Sequence, residues 1–161
     1  MALELYPAYD RTEEIGALFT EYTHMLVELE PAFQVYLNIQ HYDAEVADLE
    51  SKYGLPEGRL YLALWDGQSA GCIALRKLDA ERCEMKRLYV RPAFRKLHIG
   101  RTLAERVVSD AREIGYRHML LDTLPQLREA IDMYRKMGFY EIPCYNDSPL
   151  DTTVFLQLDL S

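Results

Sequence analysis

Between Cys83 and Arg101, cations crowd around a change of period. Arg91, Arg95, Lys96, His98 and Arg101 surround Gly100. The residues before them, 83 to 90, are rich in β-formers and stop at Arg91-Pro92, where a proline cannot continue a ladder. The residues after them take a helical period: Ile99, Leu103, Val107, Ala111 and Ile114 fall on one face. The stretch reads as a strand, a short basic turn and a helix start. A helix start presents unpaired N–H groups and a partial positive charge, so it favours a phosphate. A glycine lets backbone approach that phosphate closely, and cations around it add charge-assisted contacts. Taken alone, the same stretch reads equally well as an ordinary basic turn before a helix.

The elements that must hold this turn follow from pattern. Leu3 to Tyr6 is a short strand ended by Pro7. Asp10-x-x-Glu13 has the layout of a capping box, opening a helix on which Ile15, Leu18, Phe19, Tyr22, Met25, Leu26 and Leu29 recur before Pro31. Residues 32 to 42 are ambiguous. Asp43 is placed to cap a second helix carrying Val46, Leu49 and Tyr53. Leu60 to Trp65 and Ser69 to Arg76 form a hairpin around Asp66-Gly67. A polar turn from Leu78 to Arg82 leads to the central strand. Gly115 ends the central helix, and Met119 to Asp122 reads as a strand buried on both faces. Strand, helix and strand make a βαβ unit, so residues 84–90 and 118–122 should run parallel. Leu127 to Met137 is a helix closed by Gly138, and Tyr140 to Pro143 and Thr153 to Leu158 complete the sheet. The expected class is α+β with a mixed, mainly antiparallel sheet.

At 161 residues, the chain is expected to be one domain, 1–161. Its 49% hydrophobic and 27% charged residues are those of a soluble globular protein. A net charge of −8 argues against general nucleic-acid affinity. An acidic protein with one basic loop fits an anionic cofactor and a positively charged substrate, because carboxylates concentrate before residue 60. No apolar run approaches the length of a membrane span, and the first residues lack a signal layout. Cysteines 72, 83 and 144 make no metal spacing with His24, His41, His98 and His118, so no metal is expected. A reduced, cytoplasmic protein is the simplest expectation. There is no Gly-x-Ser-x-Gly elbow, no phosphate-binding Gly-Lys-Ser/Thr loop and no His-Glu-x-x-His.

Arg95-x-x-His98-x-Gly100 resembles the pyrophosphate loop of the GCN5-related N-acetyltransferase (GNAT) superfamily, commonly Arg/Gln-x-x-Gly-x-Gly/Ala. Arg87-Leu88-Tyr89-Val90-x-Pro92 resembles the strand that precedes it there. Ala130-Ile131-Asp132-Met133-Tyr134-Arg135-Lys136-Met137-Gly138-Phe139 is similar to the family's second signature. The likeness covers residues 59 to 140. His98 stands in place of the loop's first glycine, and Leu127 where many members carry an asparagine that bonds the pantetheine.

The resemblance implies a GNAT-like twisted mixed sheet of about seven strands flanked by about four helices. Its two central parallel strands are splayed, and acetyl-coenzyme A enters the gap. It implies an acetyl-CoA-dependent N-acetyltransferase acting on a primary amine of a small molecule or peptide, by direct attack in a ternary complex. The alternative is a non-catalytic acyl-CoA-binding module of the same fold. The cofactor residues it implies are Leu88, Tyr89 and Val90 along the strand, and Arg95, Lys96, Leu97, His98, Ile99, Gly100, Arg101 and Thr102 around the pyrophosphate. Tyr134 is implied as the general acid that protonates the departing sulfur, although spacing alone makes it a core tyrosine. Glu84 is the candidate base, six residues before Val90 and so on that residue's face, with Lys86 two residues on along the same face. The segment before residue 59 would cover the acceptor side, with Tyr22, Phe33, Tyr36, Tyr42, Glu28, Glu30, Asp43 and Glu45 as weaker candidates. The expected partners are acetyl-CoA and an amine substrate, with no nucleic acid and no membrane, and a homodimer left open.

Overall fold

The computed structural model describes residues 2–161. Strand β1 (Leu3–Pro7) leads into helix α1 (Thr12–Leu29), followed by three short helices, α2 (Phe33–Ile39), α3 (Tyr42–Ala47) and α4 (Leu49–Tyr53). Then come β2 (Arg59–Trp65), β3 (Gln68–Lys77) and β4 (Arg82–Val90). A 3₁₀ turn (Pro92–Phe94) links β4 to α5 (Ile99–Ile114). The chain closes with β5 (His118–Thr123), α6 (Arg128–Met137), β6 (Tyr140–Glu141) and β7 (Val154–Asp159). The seven strands form one mixed sheet in the order β1-β2-β3-β4-β5-β7-β6, with β4 and β5 as its parallel pair. That is the α+β fold the motifs imply.

The sheet separates two apolar layers. On one face, Ile99, Leu103 and Val107 of α5 pack with Ile73, Leu75, Cys83, Met85 and Met119. On the other, Ile15, Leu18 and Phe19 of α1 and Tyr53 of α4 pack with Leu60, Leu62, Cys72, Ala74 and Tyr89. Asp66 and Gly67 both take positive φ (49° and 82°), the requirement of the tight β2–β3 hairpin. Gly115 and Gly138 end α5 and α6 in the left-handed conformation.

Three local expectations are corrected. The capping box does not form: Arg11 holds the N-cap position without a side-chain capping bond, its Nε instead donating to Glu14 at 2.6 Å, while Asp10 accepts from the Tyr6 hydroxyl at 3.1 Å. Asp43 lies in the first turn of α3 rather than at its cap; Asp48 is the side chain that caps a helix, accepting the Ser51 N–H at 3.3 Å ahead of α4. The described residues hold six α-helices rather than about four, because the stretch from 33 to 53 breaks at His41, left-handed at φ 56°, and again at Asp48.

Candidate active site

β4 and β5 pair at Arg82↔His118, Cys83↔Met119 and Glu84↔Leu120, and there the ladder stops. β4 continues to Val90 against β3, and β5 continues to Thr123 against β7. The strands therefore diverge, leaving the β5-facing edge of β4 without a strand partner. The cleft between them holds about 50 Å³ of open space. Its walls are Met85, Lys86 and Leu88 from β4, Leu121 and Asp122 from β5, Ala130 and Tyr134 from α6, and Tyr22, Phe33 and Tyr36 from α1 and α2.

A bulge shapes the β4 wall. Cys72 pairs with Tyr89 and Ala74 with Lys86, so two residues of β4, Arg87 and Leu88, oppose the single Ile73 of β3. Arg87 takes the extra place with φ 60°. The insertion reverses the alternation of faces beyond it. Cys83, Met85, Leu88 and Val90 lie toward α5 and α6, whereas Tyr89 lies toward α1. Glu84 pairs across the ladder with Arg76 and is thus on the face opposite Val90, not the same face as strict period-two counting expects. Lys86 does share the face of Glu84, because both precede the bulge.

The Arg87 guanidinium is buried and bound twice to Glu45, Nε to Oε2 at 2.9 Å and Nη2 to Oε1 at 2.9 Å, with Gln40 accepting a third bond at 2.8 Å. Tyr42 lies beneath it, 5.3 Å from ring centre to guanidinium carbon. Glu45 also accepts from Lys52 at 2.7 Å and the Tyr53 hydroxyl at 2.9 Å. Burial alone would raise the Glu45 pKa, but the Arg87 charge and its hydrogen bonds, with Lys52 and Lys86 behind them, bring it well below the usual carboxylate range. This cluster ties α2, α3 and α4 to the bulge.

At the end of β4 the backbone takes over. Lys96 and His98 are both left-handed, at φ 69° and 60°; histidine enters that region more readily than most residues. The backbone bonds of α5 begin with Thr102 N–H to the His98 carbonyl, 3.1 Å, and the Thr102 hydroxyl donates to the same oxygen at 2.9 Å. No side chain caps the helix, so the amides of Ile99, Gly100 and Arg101 are left for another acceptor. A Cβ on Gly100 would meet only Val90 Cγ2, at an ordinary 3.7 Å. The protein itself thus has no packing need for glycine here, though glycine costs a helix about 1 kcal/mol relative to alanine. Close approach of an anion is a physical reason for it. Lys96, Leu97, His98 and Arg101 are exposed around these amides. Arg95 turns back instead, its Nε donating to the Val90 carbonyl at 3.0 Å. Arg91 binds Glu21 of α1 at 2.7 and 3.0 Å.

Tyr134 is the buried residue of α6. Its ring packs on Phe139, centroids 5.5 Å apart, and its hydroxyl has no hydrogen-bond partner among the described residues. Burial, and then the neighbouring Tyr22 phenol, push its pKa up, so the group stays protonated. Glu84 is otherwise committed: Arg76 Nε lies 2.6 Å from Oε1, and the Tyr145 hydroxyl donates to Oε2 at 2.5 Å. Burial disfavours its charge, but Lys86, Arg76 and these hydrogen bonds outweigh that and lower its pKa. A sealed, ion-paired carboxylate is a poor proton acceptor, and Glu84 is not in the cleft wall.

Of the weaker candidates, Tyr22, Phe33 and Tyr36 reach the cleft. Tyr42 and Glu45 serve Arg87, and Glu28 and Asp43 are exposed, with Glu30 half-exposed. None of the carboxylates before residue 60 lines the cleft, which removes the basis for expecting a positively charged acceptor. Asp122 was not legible as a wall residue; Tyr36 and Asn146 both bond its Oδ2, the latter at 2.8 Å. Their separations of 86 and 24 residues leave no local signal.

The splayed parallel pair thus leads into a helix start whose amides are free. The chain belongs to the acetyltransferase (GNAT) family, whose model matches residues 22–139. An uncharacterised N-acetyltransferase of Schizosaccharomyces pombe is 36% identical over 131 residues, 80% of each chain. A GNAT-family acetyltransferase from Staphylococcus aureus shares the fold with a TM-score of 0.77 at 21% identity, over 99% of this chain and 100% of that one. The PaiA N-acetyltransferase from Thermoplasma acidophilum, solved with coenzyme A, has a TM-score of 0.73 at 17% identity over 99% of each chain. No helix among the described residues is long and apolar enough to cross a membrane.

Proposed function

We propose that this protein moves an acetyl group from acetyl-CoA to a primary amine of a small molecule or peptide, by direct attack in a ternary complex. The observation that carries the reading is the cleft itself: the unpartnered Tyr134 hydroxyl and the unpaired edge of β4 open onto one space. Acetyl-CoA, when bound, supplies a thioester whose C–S bond breaks as the amine's N–C bond forms, with one proton leaving the nitrogen and one reaching the sulfur.

The amides of Ile99, Gly100 and Arg101 hold the diphosphate, with Lys96, His98 and Arg101 around it. Leu97 and Thr102 shape the loop and the first turn. The backbone of Leu88, Tyr89 and Val90 aligns the pantetheine amides as an added strand would, and an N–H near Leu88 polarises the thioester carbonyl. Arg95 acts by bracing the strand end through the Val90 carbonyl. Tyr134, kept protonated by burial, donates to the sulfur. Water in the cleft takes the amine proton in place of Glu84, which Arg76 and Tyr145 already occupy.

A thiol-release assay over a broad amine panel, run beside a calorimetric titration with acetyl-CoA, tests this. Amine-dependent release is expected. Tight binding with no release for any amine would leave a non-catalytic acyl-CoA-binding module.

A further inference from the structure

Not every charge of the cleft is paired within the protein. Arg87 is consumed by Glu45 and Gln40, and Glu84 by Arg76 and Tyr145. Lys86 remains. It is 8% exposed, stands in the cleft wall, and makes no hydrogen bond or ion pair with any described residue. No enclosed side-chain nitrogen or oxygen among the described residues lacks a partner, so its ammonium opens onto the cleft space rather than into packed protein. The one carboxylate in the wall is Asp122, which accepts from the neutral donors Tyr36 and Asn146 and has no cation within ion-pair distance. A buried cation with no counter-ion is costly, and a ligand that brings the anion removes that cost.

The groups facing Lys86 are Arg87 and Glu84 on its own strand, Lys52 from α4 and Asp122 from β5. Burial and then Arg87 lower its pKa to about 7, against the pull of Glu84. Lys86 and Asp122 therefore stand in one cleft wall, each without an ion-pair partner among the described residues.

We propose that Lys86 binds a carboxylate on the acceptor, so that the substrates are amines that carry a carboxylate, of the amino-acid kind, with the incoming ammonium drawn to Asp122. The proposal rests on the acetyltransferase reading for the amine and adds the anion. An ammonium–carboxylate contact away from bulk water is a strong one.

The test compares free α- and ω-amino acids with their own carboxamides, in the parent and in Lys86→Met, which keeps the length and removes the charge. Lys86→Gln is the second variant if methionine does not fold. The parent should favour each acid over its amide in kcat/KM, and the substitution should cut that ratio by about thirtyfold or more. Thermal unfolding of the CoA-bound protein with the same acids and amides gives a readout independent of turnover: acids should raise the parent's Tm and not the variant's. A parent that treats acid and amide alike, or a variant that keeps the preference, overturns the carboxylate role and leaves acetyl transfer standing. No turnover with any amine, but an acid-specific Tm rise lost in the variant, supports the role of Lys86 and removes the acetyl-transfer reading. Neither turnover nor an acid-specific Tm rise overturns both.

Discussion

Two stretches of one chain segment treat charge in opposite ways. Lys96, His98 and Arg101, past the end of β4, are exposed, and what they frame is main chain: a left-handed turn and free helix amides. Glu84, Lys86 and Arg87, inside β4, are buried, and two of the three are defined by side-chain partners. Recognition by backbone tolerates a change of side chain so long as the conformation survives. A buried charge cannot lose its partner without leaving an uncompensated ion. The two stretches should therefore respond differently to substitution.

The largest effect is expected outside both, at Tyr134 of α6. Tyr134→Phe keeps the ring and its packing on Phe139 and removes a positioned acid, which should lower kcat by about 10²–10⁴-fold with KM for acetyl-CoA little changed. A kcat within about twofold of the parent, measured on folded protein, would make Tyr134 a core residue and leave solvent as the proton donor.

Glu45→Ala strands the Arg87 guanidinium, whose side chain is 3% exposed. Denaturant unfolding should register a loss of about 3–5 kcal/mol, the cost of breaking a buried pair from one side. The same pair predicts an acid limb. The folded Glu45 pKa is depressed, so its contribution is complete above the unfolded carboxylate value of about 4.3 and is lost as pH falls through the folded value. The parent should lose stability over that window more steeply than the variant. Equal acid limbs would show that the pair contributes nothing.

In the basic turn, Gly100→Val should lower coenzyme A affinity by more than about tenfold, 1.4 kcal/mol, by holding the diphosphate off the amides. Folding should survive, since the added Cβ meets only Val90 at 3.7 Å. Calorimetry decides it, and unchanged affinity would sink the pyrophosphate assignment. The smallest effect is expected at His98→Gly. Glycine takes φ 60° without the penalty of about 1–2 kcal/mol that a side chain carries there, so affinity should hold or improve. A tenfold loss would show that the imidazole itself touches the cofactor, and the contrast between backbone and side-chain recognition would fail at that residue.

What could be read from the chain alone is what short-range physics decides. The change of period at Ile99 marks α5 because helical spacing is visible within a few turns. Asp66-Gly67, Gly115 and Gly138 mark their turns because φ is positive at each, a requirement within the residue itself. The free amides of α5 needed no more than a strand, a turn and a helix start in succession.

The remainder depended on what came to lie opposite. The face of Glu84 could not be counted from the sequence, because the β4 bulge exists only in register with β3. The capping box at Asp10 had a sound local pattern, yet Tyr6 offered Asp10 another partner and the N-cap position fell to Arg11. Glu84 is closed off by Tyr145, 61 residues away, and Arg87 is neutralised by Glu45, 42 residues away. Lys86 is exceptional only because no such partner arrives. A residue type and its spacing limit what a side chain can do; burial and the charge facing it choose among those roles, and both are properties of the assembled fold.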